Sequence, residues 1–142
     1  MENWHMVLEE FRITHSTLIE HYQFIEAHLE GIYAAISGKS FMDGIKEVER
    51  DSLSGVVREI REAEKDKGIK VFTKDAYEQL RQIIERRNFW CHSCYFEMTF
   101  DRKTGGPAKV RDVQALFADL QTAEQWREQL LQLKLRLLKE KM

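Results

Sequence analysis

Apolar residues recur along the first forty positions at alternating intervals of four and three. Trp4, Leu8, Phe11, His15, Leu18, Tyr22, Ile25, Leu29, Ile32 and Ile36 therefore share one stripe of a single long helix. Ser37-Gly38 is its expected stop, because glycine readily leaves the right-handed region. A second helix is predicted from about Asp43 to Asp66 on Ile45, Val48, Leu53, Val56, Val57, Ile60 and Ala63, with Gly68 as its C-terminal cap. Thr73 can cap a third helix, which carries Ala76, Tyr77, Leu80, Ile83, Ile84, Cys91, Cys94, Tyr95 and Met98. Residues 101–107, Asp-Arg-Lys-Thr-Gly-Gly-Pro, read as the clearest loop. A last helix follows with Val113, Leu116, Phe117, Leu120, Ala123, Trp126, Leu130, Leu133 and Leu137 as its stripe, and its Leu-rich end (Leu130 to Leu138) is apolar on more than one face. Ile69 to Phe72 is the one short stretch that could be extended. Such helices bury their stripes best side by side, so the expected fold is all-α: an up-down antiparallel bundle of four to five helices in one domain spanning 1–142.

Composition narrows the class. The chain has 142 residues, one Pro, two Cys and 32% charged residues, which suits helices with one wet face each. No stretch approaches the roughly 18 apolar residues of a membrane span, and no signal peptide is visible at the N-terminus. A cytoplasmic protein without a membrane association is expected. The net charge of −2 is uneven, with −4 over residues 1–40 and +4 over residues 81–111. A locally basic segment in an acidic chain can attract phosphate.

The chemistry gathers late in the third helix, in Arg86-Arg87-Asn88-Phe89-Trp90-Cys91-His92-Ser93-Cys94-Tyr95. Spacing from Ile84 turns Arg87 and Asn88 towards the buried side, where an arginine needs a partner or a site. Asn88, His92 and Tyr95 form one strip at i, i+4 and i+7. Arg87 and His92 diverge by roughly 140° around an ideal helix, so either the arginine curls round or a second copy completes the site. Histidine exchanges protons near neutral pH, and the guanidinium fork matches phosphate oxygens. A phosphodiester attacked by its own neighbouring 2′-hydroxyl needs these functions and no metal. Against this stands a plain structural role: a buried Arg–Glu pair and a satisfied core histidine.

Arg87-Asn88-Phe89-Trp90-Cys91-His92 resembles the signature of the HEPN superfamily: an arginine, a polar residue directly after it, and a histidine four to six residues beyond the arginine. The resemblance implies a HEPN-like helical bundle and a metal-independent endoribonuclease whose site forms where two copies pack their motif helices together. It implies proton transfer or 2′-hydroxyl activation by His92, phosphate binding by Arg87, and positioning by Asn88. Arg86 would supplement the phosphate contact. Tyr95 is a further nominee, although some members place a tyrosine two residues after the histidine and here the gap is three. Arg102 and Lys103 in the basic loop are candidates for RNA contact. The implied partners are RNA, a second copy of the chain, and an antitoxin or regulatory protein, since many members serve toxin–antitoxin or phage-defence systems. The implied cofactors are none. The competing class is a non-catalytic helical module that binds a nucleotide or a protein.

Other readings of the same segment are weaker. Cys91 and Cys94 have Cys-x-x-Cys spacing, with His21 and His28 on one face of the first helix, but the chain has no second Cys pair, and small core residues are the default. His15, on the apolar stripe, reads as a satisfied core histidine. Phe89 and Trp90 could stack on bases, and Trp90 is expected at the dimer contact. Gly105-Gly106-Pro107 is not a phosphate-binding loop, since no Gly-Lys-Ser/Thr follows it.

Overall fold

A computed structural model describes residues 4–92 and 110–141 of the chain, which form five helices and no strand among them. They are α1 (Trp4–Ile36), α2 (Phe41–Val48), α3 (Leu53–Lys67), α4 (Lys74–His92) and α5 (Val110–Lys141). No helix among the described residues is long and apolar enough to cross a membrane.

The α1 stripe packs as its spacing predicts. Every member from Phe11 to Ile36 is buried, and Leu18, Ile25, Leu29 and Ile32 are fully enclosed. The helix ends at Ser37-Gly38, where Gly38 takes a φ of 80°. The Ala34 carbonyl near its end finds two donors, Ser37 Oγ at 3.0 Å and Lys141 Nζ from the end of α5, and Lys141 also reaches the Lys39 carbonyl just beyond the helix.

The single helix expected over 43–66 is two. Val48 and Leu53 both belong to the core, but they are five residues apart, so one straight helix would point them about 140° from each other. The chain breaks between them and restarts on Ser52, whose hydroxyl accepts from the Gly55 amide at 3.2 Å. Gly68 closes α3 in the left-handed region, as predicted. The 69–72 stretch forms no strand. Instead Glu64 Oε1 accepts from the backbone amides of Val71 and Phe72 at 2.8 and 2.9 Å, and Phe72 turns into the core. Thr73 Oγ1 accepts from the Ala76 amide and starts α4.

The first and last helices run parallel, as their contacts show. Arg127 meets His21, Lys134 meets His28 and Lys141 meets Ala34, at a nearly constant offset along both helices. Not every stripe position is inside: Phe117 on α5 is 51% exposed, on a different face from the buried Leu116 and Ala123.

Candidate functional site

The end of α4 is seated in the core by Trp90, which is 1% exposed. Its ring contacts Phe11 and His15, and its backbone carbonyl accepts a 2.7 Å hydrogen bond from His15 Nε2. His15 is thus the satisfied core histidine its stripe position predicts. Trp90 corrects an expectation: its ring fills the core of its own chain and is not offered to a dimer contact, because indole burial and two polar bonds hold it inside. The second bond runs from Trp90 Nε1 to Asp119 Oδ2 on α5, at 2.7 Å.

Asp119 also accepts from Arg86 Nε at 2.7 Å, and the Arg86 guanidinium lies over the rings of Phe89 and Trp90. Arg86 is therefore committed to a carboxylate and two aromatic faces, while 41% of its side chain remains exposed. Tyr22 borders the same cluster, and burial, reinforced by the Asp119 carboxylate, raises its hydroxyl pKa well above the usual range. The cluster edges a cleft of about 370 Å³ between α1, α4 and α5. Sequence reasoning missed Asp119. Its signal was a carboxylate three residues after Leu116 and four before Ala123, a charge set into an apolar stripe.

Arg87 and Asn88 sit one position beyond this anchor. Their expected turn towards the buried side is only partly realised: the Arg87 side chain is 30% exposed and Asn88 is exposed. Arg87 donates to Asn88 Oδ1 at 3.2 Å, which leaves the amide's N–H groups available to a ligand. Its other contact is Glu26 Oε2 on α1, at 3.8 Å, beyond hydrogen-bond range. Glu26 was also legible, four residues after Tyr22 and three before Leu29.

The helix remains continuous to His92, its last residue. The side chain of His92 lies outside the described residues, as do Cys94, Tyr95, Arg102 and Lys103. The structure thus brings Arg86, Arg87 and Asn88 together on one helix end, with Arg86 diverted to Asp119. Cys91 is exposed and free, not the small core residue its spacing suggested. No group of three or more metal-ligating side chains occurs among the described residues. His21 and His28 instead meet cations across the α1–α5 seam. Arg127 Nη1 lies 3.2 Å from His21 Nδ1, and Lys134 Nζ lies 3.0 Å from His28 Nδ1. Burial, with Lys134 beside it, lowers the His28 pKa to about 4.

No protein-family model, curated protein or solved structure matches the chain.

Proposed function

We propose that this chain is a metal-independent endoribonuclease of HEPN type, acting as a homodimer whose motif helices face each other. The observation that carries the reading is the Arg87–Asn88 pair: a partly exposed guanidinium hydrogen-bonded to an exposed amide, on a helix that runs unbroken to His92. Arg87 holds the scissile phosphate and stabilises the charge that builds on its oxygens. His92 takes the proton from the 2′-hydroxyl, whose oxygen attacks the adjacent phosphorus. The bond from phosphorus to the 5′-oxygen breaks, and that oxygen takes up a proton. The products are a 2′,3′-cyclic phosphate and a 5′-hydroxyl. Asn88 orients Arg87. Because Arg87 and His92 diverge by about 140° on their own helix, a second copy supplies the facing groups. A toxin or phage-defence role in the cytoplasm, held in check by a partner protein, is what the family likeness implies.

The Arg87–Glu26 contact favours a second reading, a non-catalytic helical module in which Arg87 is tied to α1. One experiment separates them. Wild type, Arg87→Ala and His92→Ala are incubated with total RNA in excess EDTA, with helicity followed by circular dichroism. The nuclease reading expects cutting by wild type and a loss of at least 100-fold in both variants at unchanged helicity. Equal cutting by all three, or none by wild type, overturns it.

A further inference from the structure

A groove of about 540 Å³ runs between α3 and α4 on the face away from the Asp119 cluster. Arg58 and Arg61 line it from α3, and Lys74, Tyr77, Arg81 and Ile84 line it from α4. Asp75 and Glu78 lie in it too. Arg81 is held on both sides by Glu78 and Glu85, so its charge is already spent. Arg58, Arg61 and Lys74 form no ion pair among the described residues. The central guanidinium carbon of Arg61 lies over the Tyr77 ring, 4.2 Å from its centroid, and Tyr77 is itself buried. Arg61 is itself exposed. Arg86, by contrast, is neutralised by Asp119.

The groove has a direction. Lys74, Arg81 and Asn88 are spaced seven residues apart, so they keep to one side of α4, and position 92 follows four residues later. From Lys74 to Asn88 is about 21 Å along the helix axis. We propose that this groove is the track for the backbone of a single-stranded RNA, delivering it along α4 to Asn88 and His92. The proposal rests on the nuclease reading for its direction and for its substrate. Single strands are bound by a cationic furrow that follows the phosphates and by flat groups that stack on bases. Arg58 and Lys74 supply the first. Arg61, stiffened by Tyr77, supplies the second, since guanidinium planes stack on unpaired bases. With the whole chain at −2, attraction must come from such local charge, felt over about 10 Å at 0.1 M salt.

The test reads binding apart from cutting. A fluorescein-labelled single-stranded RNA 12-mer of mixed sequence is titrated in EDTA with His92→Ala protein, and with that protein carrying Arg58→Ala and Lys74→Ala together. Anisotropy is followed at several KCl concentrations. Both substituted side chains are exposed, and circular dichroism checks the fold. The groove variant should bind at least tenfold more weakly at low salt, with the slope of log K against log[KCl] reduced by about 1.4. The charge-keeping pair Arg58→Lys and Lys74→Arg should restore most of the binding. Arg136→Ala, an exposed cation on α5, should leave it intact. Unchanged affinity and slope in the groove variant, or an equal loss in Arg136→Ala, overturns the track. Wild type that binds through the groove yet cuts nothing in EDTA overturns the nuclease reading, and with it the delivery to Asn88 and His92, and leaves the groove as an RNA-binding surface.

Discussion

At the scale of single residues, Asp119 does the most to seat the candidate site, because one carboxylate oxygen serves both the Arg86 guanidinium and the Trp90 indole. The two donors respond differently when it is removed. Arg86 is exposed enough to be rehydrated, whereas the indole N–H is enclosed with its ring. Asp119→Ala should therefore cost about 1–3 kcal/mol, the desolvation of one unsatisfied donor, read by urea unfolding. Adding Trp90→Phe should then cost less than it does in wild type, because the donor and its acceptor are both gone. His28 gives a second prediction. Its folded pKa of about 4 lies below the roughly 6.5 of an unfolded histidine, so the unfolded chain takes up the proton first as pH falls. This contribution is fully present above pH 6.5 and is lost progressively between 6.5 and 4. His28→Gln, whose amide oxygen can still accept from Lys134, should flatten that part of the melting-temperature profile. An identical profile in wild type and variant would contradict the assignment.

At the scale of elements, two glycines on α1 and α2 face different neighbours and should respond with different sizes of effect. A Cβ on Gly44 would stand 2.7 Å from the Ala34 Cα, where only backbone could move, so Gly44→Ala should destabilise by about 1–3 kcal/mol. On Gly31 it would meet only the flexible Lys134 chain, at 2.5 Å, and the gain in helix propensity offsets the shift. Gly31→Ala should be near neutral in the same thermal scan. These elements also show what was legible in the chain. The α1 stripe, the Gly38 and Gly68 stops and the Thr73 cap follow from local spacing and turn chemistry, and each is found. The break at 49–52 was present as the five-residue step from Val48 to Leu53, but continuous apolar content hid it. Trp90, Cys91 and Phe117 were misplaced for a related reason: a helical stripe is wide, and which of its edges is covered depends on neighbours in space. The polar partners Glu26 and Asp119 come from helices distant in sequence, so their pairing with Arg87 and Arg86 could not be read from the motif itself.

At the scale of the whole molecule, α1 and α5 pack in parallel and the buried Trp90 holds α4, leaving Arg87 and Asn88 at the surface of a firmly seated helix end. Under the proposed function, groups preorganised in this way would stabilise a transition state without having to be ordered at the moment of reaction. Under the proposed function, RNA attacks itself through its 2′-hydroxyl under the influence of Arg87 and His92. The most direct measurement uses an RNA oligonucleotide that wild type cuts in EDTA, and a twin carrying a single 2′-deoxy sugar on the 5′ side of the cut, with products identified by mass spectrometry. Attack by the 2′-hydroxyl yields a 2′,3′-cyclic phosphate and a 5′-hydroxyl from the first, and no cut at that position in the second. Cleavage of the deoxy twin at the same position, or products ending in a 5′-phosphate, would contradict it.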